Sequence, residues 1–157
     1  MNLPAGDFTI ELWMKPVAFG TTGVRTLVSR NVFENGWNLE VGQDGTVYFT
    51  VVWTSGAMTS IGSSTAQAWV NGTWYHIAVT RQGTTYRIFR DGVLLHTRAS
   101  EARTIGTNAS APVQVGGQSM NSSSSTPFAL IDDLRITVGT ARYTAAFTPP
   151  TAAFPDS

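Results

Sequence analysis

This chain sets two carboxylates side by side inside an apolar run, Asp132 and Asp133 in "ALIDDLRIT" (129–137). Two acids on one surface can share a proton over a substrate or hold a cation. In an extended strand, however, neighbouring side chains point to opposite faces. The pair is therefore expected to be split. Asp132 would share a face with Phe128, Leu130, Leu134, Ile136 and Val138, and Asp133 the other face with Ile131, Arg135 and Thr137. A carboxylate on an apolar face must be hydrogen-bonded or lie at the sheet's end. Asp132 is thus expected as a structural acceptor that ties down a loop, and Asp133 as a surface acid near Arg135.

The remaining residue types offer little catalytic chemistry. There is no cysteine, which excludes disulfides, thiolate metal sites and thiol nucleophiles. Of the two histidines, His76 and His96, the latter follows the hairpin and has no partner in sequence, and no GxSxG, HExxH or phosphate loop occurs. Aromatic side chains are the other candidates, because a ring face can stack on a sugar. Trp53 ends a strand-like segment beside a Ser/Thr-rich stretch, Trp69 leaves that stretch, and Tyr48 alternates with Val47 and Phe49. The same tryptophans could equally fill a sandwich core.

Alternating elements must position these groups. "DFTIELWMK" puts Phe8, Ile10, Leu12 and Met14 on one face, with Thr9, Glu11, Trp13 and Lys15 on the other, as in a half-buried strand. "VRTLVSR", "WNLEVG", "GTVYFTVVWT", "GTWYHIAVTR", "PVQVGG" and "FALIDDLRITVG" continue the pattern. Between "TYRIFR" and "VLLHT" stands Asp91-Gly92, a strong two-residue hairpin signal. It would set Phe89 opposite Leu94 and Ile88 opposite Leu95. "TSGAMTSIGSSTAQ" (54–67) and "GQSMNSSSST" (117–126) read as surface loops, and Asp44 in "QDG" as a turn residue. The closing "YTAAFTPPTAAFP" is expected to run extended over the surface, anchored by Phe147 and Phe154. About nine strands and no helix predict an all-β, two-sheet antiparallel jelly-roll sandwich in one domain, 1–157, with 140–157 as a C-terminal tail.

Composition bounds the partners. Ten basic side chains offset ten acidic ones, nine of the former being Arg and one Lys15. A neutral chain without a basic patch carries no electrostatic footprint for nucleic acid or anionic membrane. No apolar run approaches the ~20 residues of a membrane span. "MNLPAGDF" lacks the basic start and apolar middle of a signal peptide. The sequons at Asn71, Asn108 and Asn121 would matter only in a eukaryotic secretory setting.

Three segments in this order, "GDFTIELWMKP", "GTWYHIAVTRQGTTYRIFRDGVLL" and "ALIDDLRI", resemble the hallmark segments of laminin G-like, concanavalin A-like jelly-roll domains. The resemblance covers about residues 6–139, and "TARYTAAFTPPTAAF" is similar to the end of such modules in bacteriophage and prophage virion proteins. It implies two antiparallel sheets, ligands that are mostly carbohydrate or protein, and a packed role for His76. Related glucanases carry acid–x–acid–x–acid on one strand; none of Glu11, Glu34, Glu40 and Glu101 belongs to such a triplet. Many family members carry calcium at the rim. The positions implied here are Asn35 or Glu34 with Asn121, a charge-poor set, so no cofactor is expected and calcium only weakly. The family usually has a strand before "DFTIE", but only five residues precede Gly6, so a missing segment or another chain is expected to complete that edge.

The sequence is thus expected to encode a non-catalytic recognition module. It would bind a glycan through Tyr48, Trp53 and Trp69, within a virion or on a bacterial or other extracellular surface. The rival expectation is a structural module of a virion tail or capsid that binds other protein chains, with homo-oligomers possible. Asp132, Asp91 and Gly92 are expected as structural residues.

Overall fold

The computed structural model describes residues 3, 5–19, 25–30, 35–63, 65–107, 110–117 and 129–154. Ten strands are present among the described residues: β1 (Phe8–Pro16), β2 (Arg25–Arg30), β3 (Trp37–Val41), β4 (Val47–Val52), β5 (Met58–Ser63), β6 (Tyr75–Gln82), β7 (Thr85–Arg90), β8 (Val93–Arg98), β9 (Gln114–Val115) and β10 (Ala129–Val138). There is no helix among the described residues. One antiparallel sheet runs β10-β1-β6-β7-β8, and the other β5-β4-β3-β2-β9.

The core follows from alternation. Phe8, Ile10, Leu12 and Met14 of β1 are fully buried, as are Ile77 and Val79 of β6. They meet Leu39 and Val41 of β3 and Val47, Phe49 and Val51 of β4 from the other sheet. Phe8 and Phe49 lie 6.0 Å apart, and Tyr86 packs 6.0 Å from Phe8. Each such side chain contributes about 1.5–3 kcal/mol by leaving water.

Four expectations need correction. First, the 54–67 stretch is not all loop. Residues 58–63 form β5, pairing Phe49 with Ile61 and Val51 with Thr59. Ile61 is buried, and the edge of β4 supplies the ladder of hydrogen bonds. The second expected loop lies, apart from Gly117, outside the described residues. Second, β1 is not half-buried: Thr9 and Glu11 on its outer face are as inaccessible as the core. The reason is the segment after β10. Thr9 Oγ1 donates to the Thr140 carbonyl and accepts from the Arg142 N–H, and Thr80 Oγ1 donates to the Tyr143 carbonyl. Third, Ile88 faces His96 rather than Leu95, because a bulge intervenes after the Phe89–Leu94 pair. Fourth, β1 is no edge strand; it lies between β10 and β6.

The hairpin turn adopts the backbone its residues favour, with φ of 50° at Asp91 and 77° at Gly92. A Cβ on Gly92 would also meet the Phe147 carbonyl oxygen at 1.8 Å. The turn is thus shaped by its own dihedrals and by close approach of the C-terminal segment.

A candidate ligand-binding face on the second sheet

With Trp37, Leu39 and Val41 directed into the core, β3 must send Asn38 and Glu40 outward. Register carries the same outward face to its neighbours. Gln114, Ser29, Asn38, Thr50 and Ser60 stand side by side across β9, β2, β3, β4 and β5. At about 4.8 Å between strands, this polar row spans roughly 19 Å. A second row beside it contains Thr26, Glu40 and Tyr48.

The floor of this face is buried but poorly satisfied. Thr26 is 0% exposed and Asn38 2%. Among the described residues, Thr26 Oγ1, Asn38 Oδ1 and Gln114 Oε1 have no hydrogen-bond partner. Leaving such an atom unpaired costs on the order of 1–3 kcal/mol, so three on one strip call for an explanation.

Glu40 lies among them. It accepts hydrogen bonds from Asn38 Nδ2 and from Thr50 Oγ1, the latter at 3.2 Å, and Thr50 lies 3.2 Å from Ser60 Oγ. No cation pairs with it among the described residues. Burial pushes its carboxyl up to about 7, against the opposing pull of the Thr50 and Asn38 hydrogen bonds. Near neutrality it can both donate and accept. The nearby Asp44 behaves oppositely. The Thr46 N–H at 3.0 Å and the Thr46 hydroxyl at 2.9 Å hold it below the usual carboxylate range, and Tyr48 Oη adds a 3.4 Å contact.

Of the aromatic candidates, only Tyr48 lies on this face, half-buried. Trp53 is 1% exposed; its Nε1–H donates to Thr59 Oγ1 at 2.9 Å and the Arg103 guanidinium caps its ring at 4.3 Å. Trp69 is 8% exposed, donates to the Gly45 carbonyl, and packs between Tyr75 and Arg90. Both rings are spent on packing and offer no free face to a ligand, which corrects their assignment as stacking platforms. Asn35 is half-buried. Glu34 and Asn121 lie outside the described residues, among which no group of three His, Asp or Glu side chains could hold a metal.

The aspartate pair departs most from expectation. Glu11 pairs with Arg135 and Trp13 with Asp132, so two residues, Asp133 and Leu134, face Leu12. Asp133 has a φ of 48° and is the extra residue of a β-bulge. The bulge shifts the alternation by one. Ile131, Leu134 and Ile136 pack on the core, whereas Asp132 is exposed and, among the described residues, accepts only the Asp133 N–H, at 2.9 Å. It is no buried acceptor. Arg135 pairs with Glu11 instead of Asp133, at 2.7 Å.

Glu11 is the buried carboxylate of this sheet. His76 Nε2 lies 3.2 Å from it and Tyr143 Oη donates at 2.8 Å. Burial pushes its carboxyl up, but the hydrogen bonds from His76, Tyr143 and Arg135 outweigh that and hold it below its ordinary value. His76 is fully buried in this cluster, and His96 is half-buried on β8. Asp91 Oδ1 accepts the His76 N–H at 2.8 Å, tying the hairpin turn to β6.

Sequence reasoning missed Asn38, Glu40, Thr50 and Gln114. Each is an isolated polar residue at an alternate position, which reads as ordinary solvated surface. The in-phase polar positions of "WNLEV" and "VYFTVV" were the available signal, and only pairing turns them into a strip.

The profile described as the concanavalin A-like lectin/glucanases superfamily matches residues 1–141. No curated protein matches the chain. Among solved structures, the CBM40 of the Ruminococcus gnavus IT-sialidase bound to α2,3-sialyllactose is 18% identical, with a TM-score of 0.70 over 90% of this chain and 79% of that one. The leech intramolecular trans-sialidase complexed with 2,7-anhydro-Neu5Ac is 16% identical, with a TM-score of 0.71 over 89% of this chain and 22% of that one. The botulinum neurotoxin serotype G binding domain is 16% identical, with a TM-score of 0.64 over 88% of this chain and 34% of that one. At such identities the likeness is one of fold.

Proposed function

Because the chain belongs to the concanavalin A-like lectin/glucanases superfamily, we propose that it is a non-catalytic recognition module that binds a glycan across the outer face of its second sheet. The observation that carries this reading is the polar face itself, with Gln114, Ser29, Asn38, Thr50 and Ser60 in register across five strands beside Glu40 and Tyr48. Sugar hydroxyls both donate and accept, so a glycan laid along the strip would pair with its accessible polar residues, Gln114, Glu40, Tyr48 and Ser60. The fold neighbour bound to sialyllactose is in keeping with this reading.

Catalysis is disfavoured by the same geometry. Glycoside hydrolysis commonly needs two carboxyl groups flanking the bond. Both Asp44 oxygens are committed to Thr46 and Tyr48, which leaves Glu40 without a free partner among the described residues. The setting we propose is a phage virion or a bacterial surface protein, outside the cell, in line with the similarity of the C-terminal segment to virion modules.

A glycan array with Tyr48→Ala and Gln114→Ala beside the parent chain tests the reading. We expect at least one glycan whose binding falls about tenfold or more in either variant while the fold stays intact. Binding that survives both substitutions would place the site elsewhere. A rival role in virion assembly is favoured by one observation. Val93 and Leu94 on β8, and Leu130 and Val138 on β10, are exposed on the two outermost strands of the first sheet. Light scattering tests the self-assembling form of the rival, which requires a mass above the monomer's.

A further inference from the structure

The opposite side of the sandwich carries an open cleft of about 600 Å³ walled by Trp13, Trp74 and the segment Thr148–Ala153, with Asp132 and Asp133 on its rim. Trp13 projects outward from β1 because its neighbours Leu12 and Met14 fill the core. The bulge at Asp133 then brings both aspartates to the lining of the same cleft, which regular alternation would have prevented. Among the described residues neither aspartate forms an ion pair.

Two indoles beside two unpaired carboxylates make an environment selective for a cation. The indole faces attract positive charge through their quadrupole, and the carboxylates add a net charge of the right sign. A cation already uses this surface, since the Lys15 ammonium sits 4.9 Å from the centroid of the Trp74 ring. We propose that the cleft is a second binding site, distinct from the polar face of the second sheet, and that it takes an ammonium group of a ligand. A quaternary choline-type head group and the protonated amine of an amino sugar share this chemistry.

Titrations followed by tryptophan fluorescence test the proposal on the intact chain. The probes are choline against its neutral isostere 3,3-dimethylbutan-1-ol, and glucosamine against neutral N-acetylglucosamine. The expected result is that at least one cation binds about tenfold or more tightly than its neutral counterpart. The pair that discriminates identifies the source. Asp132→Asn with Asp133→Asn, which keeps shape and removes charge, should weaken that cation about tenfold or more, and Trp74→Ala should do the same. Lys15→Met removes the resident cation and should tighten binding. Equal binding of cation and neutral isostere, no binding up to about 10 mM, or unchanged affinity in the double Asn variant would overturn the proposal. A glycan on the second sheet should bind the double Asn variant normally, so the two sites fail independently.

Discussion

At the scale of single residues, position relative to the register decides what a carboxyl does. Asp132 is exposed and, among the described residues, satisfies only its neighbour's N–H. Asp132→Ala should therefore cost under about 1 kcal/mol in denaturant unfolding; a larger loss would mean that it holds more than that one bond. Glu40 is the opposite case. Its folded value of about 7 lies above its ordinary 4.5, so its neutral form favours the fold. That contribution is fully present below about pH 4.5 and is lost as pH rises through 7. Allowing for its partial exposure, stability should drop by on the order of 1–3 kcal/mol between pH 5 and 8 from this group. Melting curves should show Glu40→Gln losing less over the same range, and equal slopes would contradict the assignment.

At the scale of elements, turns and bulges redirect side chains that alternation alone would misplace. The Asp91-Gly92 turn was readable because its residues tolerate positive φ. Its second constraint, the Phe147 carbonyl, comes from a segment 55 positions away. Gly92→Val should thus cost more than dihedral strain alone, on the order of 2–4 kcal/mol. An unchanged denaturant midpoint would show that the turn and the segment can both yield. The bulge at Asp133 was not readable. Nothing in "ALIDDLRIT" marks which residue is extra, because the slip is imposed by the partner strand, where Trp13 pairs with Asp132.

At the scale of the whole molecule, residues 140–154 act as an outer layer on the first sheet. Tyr143 stacks on Phe147 at 3.5 Å, Phe147 packs 5.4 Å from Phe89, and Phe154 lies 3.9 Å beneath the Arg135 guanidinium. Beneath this layer the Glu11 carboxylate holds Arg135, His76 and Tyr143 together. Its folded value is depressed, so the stability it contributes is present above about pH 4.5 and lost as pH falls through the folded value. Glu11→Gln should cost on the order of 2–5 kcal/mol, because it leaves Arg135 without its partner. Limited proteolysis should then cut the 140–154 segment faster than in the parent chain. Equal cleavage rates would show that the layer is held by its aromatic contacts alone.

The residue order by itself determined the sandwich, because a period of two in apolar side chains admits only strands with one face inward. It also determined the hairpin at Asp91-Gly92 and the aromatic anchors of the C-terminal segment. Only tertiary structure decided which outward faces are true surface. Glu11 and Asn38 read alike in sequence as polar residues between apolar ones. Yet the first lies beneath residues 140–154 and the second on the floor of a polar strip. Trp53 and Trp69 likewise share their type with Trp13 and Trp74, and what separates core from cleft is which sheet, and which later segment, comes to lie against each ring. Those are contacts between residues far apart in the chain, and local periodicity carries no information about them.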